Sequence, residues 1–161
     1  LEDYAMTSKK KLLIIAHAPS DNTQHLRDAV LKGASHPDIE NVEVVMRAPL
    51  ETQPEDIIAA DAIILGTTEN FGYMAGLVKD VFDRCFYPCL EHTEGMPFAF
   101  YIRAGLDGTG TRKAIESITH GLRWKLVQEP LVCKGSWDEA FLAQCEELGL
   151  SMAAGLEAGI F

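Results

Sequence analysis

Two nearly unbroken aliphatic runs, Leu12–Ala16 and Ala62–Leu65, constrain this chain more than any other feature of its sequence. A strand that is apolar at every position must have both faces covered. That is the mark of a parallel sheet held between two layers of helices. Further strand-length runs lie at Val42–Met46, Phe98–Ile102 and, less cleanly, Leu126–Cys133. Helical spacing fills the gaps between them. Leu26, Ala29, Val30 and Gly33 follow the i, i+3, i+4, i+7 rule, and Met74, Leu77, Val78, Val81, Phe82 and Cys85 carry it over three turns. Ile115, Ile118 and Leu122 mark a further helix, and Phe141, Cys145, Leu148 and Met152 the last. Thr52-Gln53-Pro54-Glu55 and Ser136-Trp137-Asp138-Glu139 read as capping boxes. The pattern predicts a single α/β domain over 10–161, a three-layer doubly wound sandwich with a five-stranded parallel sheet. Residues 1–9 read as an N-terminal tail, with Leu1–Ala5 ahead of Met6 as an expression-vector remnant.

Charge narrows the partners. With 24 acidic against 14 basic residues the net charge is −10, which excludes a nucleic-acid face and suits small ligands or basic protein partners. Lys9–Lys11 followed by Leu12–Ala16 mimic a signal peptide, but five apolar residues are too few for its core, and no run reaches membrane-spanning length. The expectation is a soluble, cytoplasmic protein with no membrane partner. Cys85, Cys89, Cys133 and Cys145 form no CxxC pair, and Pro88 separates Cys85 from the Cys89 and His92 that would complete a metal set. They are expected to be buried apolar thiols, and no metal is expected. His25, His36, His92 and His120 show no spacing that demands a role.

In doubly wound sheets ligands sit beyond the carboxyl ends of the strands, near the switch in strand order. The loops to inspect are therefore 17–23, 66–73 and 103–111. The first ends an aliphatic strand and opens a helix near Asn22 or Thr23, so its N–H groups and the helix dipole can hold an anion without any lysine. Ser, Asp, Asn and Thr are equally the ordinary N-cap residues, so a plain helix cap is the alternative reading. The loop has neither the GxxxxGK[ST] nor the GxGxxG spacing. In the second loop Gly66 and Gly72 permit close approach, while Phe71 and Tyr73 offer flat faces or else pack on neighbouring loops. The third, "RAGLDGTGTRKA" from Arg103, is either a backbone that wraps a flat ring or a mobile connection.

Together these loops resemble the flavodoxin-like superfamily, in particular its NAD(P)H-dependent FMN and quinone reductase branches. "SDNT" at 20–23 is similar to the family's hydroxyl-rich phosphate loop, and "GTTENFGYMAGLVKDVFDR" from Gly66 looks like its flavin-ring loop and the helix that follows. The resemblance implies a strand order of 2-1-3-4-5 and an FMN cofactor. It would place the phosphate on Ser20, Asn22 and Thr23, with His17 beside it. The ring would lie against Thr67, Thr68, Glu69, Asn70, Phe71, Gly72 and Tyr73, and be covered by Ala104, Gly105, Gly108 and Gly110. Two positions depart from the pattern. Asp21 stands where the family usually has Gly, and Ala18 where it often has a hydroxyl. A carboxylate turned into the loop would repel a phosphate dianion by several kcal/mol, so FMN binding requires Asp21 to face solvent.

Because flavin carries its own hydride and single-electron chemistry, no catalytic side chain is expected. The reading is an NAD(P)H-dependent flavin or quinone reductase acting on a small-molecule electron acceptor or a redox partner protein. The alternatives are a flavodoxin-type electron carrier without its own NAD(P)H site and a cofactor-free binding module. A response-regulator receiver domain shares the topology, but His17-Ala18-Pro19, Gly66-Thr67-Thr68 and Ile102-Arg103-Ala104 lack its acidic pair, Asp and Lys. Trp124-Lys125 and Phe86-Tyr87-Pro88 read either as subunit contacts of a homo-oligomer or as core packing.

Overall fold

A computed structural model describes residues 9–161; the expected N-terminal remnant lies outside the described residues. Strand β1 (Lys10–Ala16) leads into helix α1 (Asp21–Ala34), β2 (Val42–Arg47), the short helix α2 (Pro54–Ile58) and β3 (Ala62–Asn70). A two-residue strand β4 (Tyr73–Met74) precedes α3 (Gly76–Cys89), β5 (Pro97–Ala104) and α4 (Thr109–Gly121). The chain ends with β6 (Lys125–Leu126), β7 (Leu131–Lys134) and α5 (Ala140–Ala158). The parallel sheet runs β2-β1-β3-β5, with β6 and β7 both pairing on the outer side of β5. With β6 and β7 counted as one interrupted strand, this is the expected 2-1-3-4-5 order. Helices α1 and α5 cover one face, packing on Leu12, Ile14, Ala62 and Ile64. Helices α2, α3 and α4 cover the other, packing on Leu13, Ile15, Ile63 and Leu65. The strictly alternating destinations of these aliphatics are why β1 and β3 have no polar face. No helix among the described residues is long and apolar enough to cross a membrane.

Several boundaries differ from the sequence reading, each for a local reason. β3 does not stop at Leu65. Gly66, Thr67 and Thr68 go on pairing with Tyr101, Ile102 and Arg103, and Glu69 and Asn70 turn back on Met74 and Tyr73 as an antiparallel hairpin. The expected fifth strand is broken, since Pro130 supplies no N–H to the ladder between Leu126 and Leu131. The box at Thr52 is shifted by one residue. Asp56 accepts the Gln53 N–H at 2.8 Å, while the buried Thr52 hydroxyl donates to the Ala48 carbonyl at 3.0 Å. The box at Ser136 does not form, because the Glu139 carboxylate is taken by the Trp137 indole N–H at 2.6 Å and Asp138 caps Ala140 at 2.9 Å. Met74 lies in β4 rather than on the helix, and Leu77 is 38% exposed.

Trp124 is a core residue. Its ring meets Phe98 edge-on at 5.6 Å and its N–H donates to the Thr93 hydroxyl at 2.9 Å. Phe86 packs on the same core while Tyr87 is 80% exposed. All four cysteines are buried and free, as expected. Burial pushes the Cys85 thiol up, and burial together with the neighbouring Cys85 raises Cys89 from 9.0 to about 12. Unfolded chain releases the Cys89 proton from about pH 9, folded chain only near 12, so folding stability falls as pH rises through that window. Denaturant midpoints should drop as pH rises from about 9 towards about 12, and Cys89→Val should flatten the drop.

Candidate functional site

The site is set by strand order. β1, β3 and β5 are adjacent, and their carboxyl ends carry residues 17–20, the β3–β4 hairpin and loop 105–108 side by side. The order reverses between β1 and β3, where doubly wound sheets open a crevice.

Ser20 is the N-cap of α1, with extended backbone (φ −139°, ψ 166°). Its hydroxyl accepts the Thr23 N–H at 3.2 Å, and the Thr23 hydroxyl accepts the Ser20 N–H at 2.9 Å, so the two side chains form a reciprocal capping box. The two hydroxyls also lie 2.9 Å from each other. The N–H groups of Asp21 and Asn22 have no carbonyl one turn back to bond, so they project from the positive end of a 14-residue helix. Ser20, Asp21 and Asn22 are all exposed. His17 leaves β1 with its N–H on the Gly66 carbonyl at 3.0 Å, and partial burial lowers its imidazole pKa below 6.5, leaving it neutral at neutral pH. Across the sheet Gly66 leaves room for the buried ring of Tyr101, which a Cβ would overlap.

The hairpin is tight. Phe71 (φ +55°) and Gly72 (φ +74°) are both left-handed, as a two-residue type I′ turn demands. An aromatic residue there is costly, by roughly 1–3 kcal/mol, and Phe71 is fully exposed at the tip. Beneath it Thr67 is buried, its hydroxyl donating to the Thr68 carbonyl at 3.0 Å and accepting the Ala75 N–H at 3.1 Å. Thr67 therefore fastens the hairpin's return to the start of α3. Thr68 bonds Asn70 at 2.8 Å, and Tyr73 is 40% exposed.

The hairpin and loop 105–108 are joined. The Glu69 carboxylate accepts the N–H groups of Leu106 and Gly108, each at 2.9 Å. The Gly72 carbonyl lies against Gly110, where a Cβ would overlap it. Gly108 caps α4 in the left-handed region (φ +70°), and Asp107 accepts the Thr109 N–H at 3.0 Å, which holds its carboxyl below the usual range. Ala104 and Gly108 are buried; Gly105, Leu106, Asp107 and Gly110 are exposed. Behind the loop Arg103, absent from the sequence-based site, donates to the Ala104 and Cys133 carbonyls at 3.0 Å each and lies over Trp137 and Phe141, 5.8 and 5.2 Å from the ring centroids. It staples the ends of β5 and β7 to the approach of α5. A separate open groove of about 460 Å³, lined by Leu90, Glu91, Glu94, Leu122 and Arg123, lies at the other end of the sheet, where α3 runs into β5.

The folded chain is similar to solved flavodoxins. A flavodoxin from the domain Archaea superposes with TM-score 0.76 at 17% identity, covering 91% of this chain and 99% of its own. A flavodoxin, WrbA-like protein from Agrobacterium tumefaciens, gives 0.71 at 17% identity, covering 91% and 96%. The two-electron reduced flavodoxin of Megasphaera elsdenii gives 0.72 at 16% identity, covering 89% and 98%. No protein-family model matches the sequence, and no curated protein does. The chain has the flavodoxin-like fold, with the hairpin strand β4 and the divided last strand as additions.

Proposed function

We propose that the chain is an FMN-binding redox protein, an NAD(P)H-dependent flavin or quinone reductase, with the flavin at the carboxyl edge of β1, β3 and β5. The observation that carries this reading is the meeting at one edge of a capped helix N-terminus, an exposed aromatic hairpin tip and a glycine-rich loop. The residues present fit the group. Asp21 and Asn22 offer unspent N–H groups to a phosphate dianion, beside the hydroxyls of Ser20 and Thr23, and Asp21 is exposed, so its carboxylate is free to turn to solvent as phosphate binding requires. Phe71, Tyr73 and Leu106 give a ring apolar surface at the rim, Gly105 leaves open space beside it, and Gly110 lets the hairpin tip approach the start of α4. Bound flavin would supply hydride and electron transfer, and the chain's part is to bind, orient and set the local charge. The flavodoxins among the structural neighbours support the cofactor and a redox role broadly, while the NAD(P)H-linked reductase branch rests on the resemblance of the loop sequences. A carrier without an NAD(P)H site is the second reading, favoured by the net charge of −10.

The phosphate assignment has a direct test. Ser20→Ala with Thr23→Ala should weaken FMN at least about tenfold, through lost donors and a frayed helix start, yet leave riboflavin, which lacks phosphate, nearly unchanged. The same pair should lower folding stability by about 1–2 kcal/mol, read by denaturant titration. Equal FMN affinity in the double variant would remove the assignment. Bleaching of bound flavin by NADPH or NADH separates reductase from carrier.

A further inference from the structure

Loop 105–108 is short, glycine-bounded and exposed over Gly105, Leu106 and Asp107, a composition that alone gives a mobile connection. Its position is nevertheless fixed from outside, by a residue 37 and 39 positions away in sequence: Glu69 accepts both Leu106 N–H and Gly108 N–H at 2.9 Å. A carboxylate is acceptor-only, so both loop N–H groups are turned toward β3 and held by charge-assisted bonds. Thr109 N–H is likewise spent, on Asp107. The N–H groups of Leu106, Gly108 and Thr109 are therefore answered by the chain's own carboxylates, and the Glu69 charge sits between the hairpin and the loop.

We propose that Glu69 is a positioning residue that fixes loop 105–108 as a preformed wall for the flavin ring and places a negative charge at that edge. The inference rests on the flavin reading above. It gives Glu69 a role through the loop rather than a contact of its own with the ring. Two consequences follow. A preformed wall spares bound flavin the entropy of ordering the loop, and the fixed charge disfavours added negative charge on the reduced ring, lowering its potential.

Glu69→Ala removes both bonds and the charge. Glu69→Gln removes the charge but keeps a carbonyl oxygen for one N–H, and guards against loss of fold. In flavin-free protein, amide hydrogen exchange at Leu106 and Gly108 should speed at least about tenfold in Glu69→Ala and less in Glu69→Gln. FMN affinity should weaken about tenfold in Glu69→Ala. In Glu69→Gln the midpoint potential of bound flavin should become less negative, a change that a purely structural tether would not produce. Wild-type exchange rates in Glu69→Ala would overturn the proposal. So would faster exchange with unaltered FMN affinity and potential. Failure of the wild-type protein to bind FMN would overturn the flavin reading and this role with it, while the exchange rates would still decide whether the tether exists.

Discussion

Gly149→Ala is expected to destabilise the protein by about 2–3 kcal/mol, although alanine is the better helix former by up to ~1 kcal/mol. Gly149 sits inside α5, and a Cβ built there would overlap the Val30 carbonyl of α1 and come within 2.9 Å of the Ala34 N–H nitrogen. The contact is reciprocal, since a Cβ on Gly33 of α1 would overlap the Glu146 carbonyl of α5. Both obstacles are backbone, so no rotamer change relieves them and the helices must separate. That separation would loosen the apolar face formed with Leu26, Val30, Leu148 and Met152. For a domain of this size the melting temperature should fall by roughly 5–10 °C, and Gly33→Ala should do the same. Gly76→Ala is the internal control: no atom lies within 4 Å of its Cβ, so stability should hold or rise by up to ~1 kcal/mol. Equal behaviour of Gly149→Ala and Gly76→Ala would contradict the described packing of α1 on α5.

Gly110→Ala is expected to injure the site itself. The added methyl would overlap the Gly72 carbonyl, so the hairpin tip must move away from the start of α4. Moving it carries Phe71 outward and strains the Glu69 bonds to Leu106 and Gly108, because the hairpin and the loop share that carboxylate. FMN affinity should fall at least about tenfold and stability by about 1–2 kcal/mol. Calorimetric titration of the folded variant checks the first figure and denaturant unfolding the second. Unaltered affinity would mean that the hairpin tip does not line the flavin site.

Much of this fold was legible because the period of the apolar residues settled it. Leu12–Ala16 and Ala62–Leu65 required two covered faces, and both are covered. The run of small polar residues places the start of α1 near Asn22 or Thr23, and it lies one or two residues earlier, at Asp21 after the Ser20 cap, because several neighbouring residues there are equally good caps. The hairpin is hard to read from sequence because its turn carries Phe71 where type I′ turns favour Asn or Gly, and Gly72 two residues after Asn70 is its one sign. The break in the last strand was readable at Pro130. The tether of Glu69 and the contact of Gly33 with α5 were beyond a single sequence. Their partners are remote, and neither a lone carboxylate in a polar loop nor a glycine on a helix face announces what it will meet. Beyond Leu65 the chain continues as a strand extension, in which the Thr67 hydroxyl and the Glu69 carboxylate bond the backbone around them.

The central claim is that the carboxyl edge of β1, β3 and β5 holds FMN, phosphate first. The measurement that bears on it most directly is a titration of FMN with the purified protein, followed by quenching of flavin fluorescence, with riboflavin in parallel. The account predicts saturable one-to-one binding of FMN and clearly weaker binding of riboflavin. Absence of FMN binding, or equal affinity for the two, would contradict it; the first result would leave the flavodoxin-like fold serving as a cofactor-free binding module.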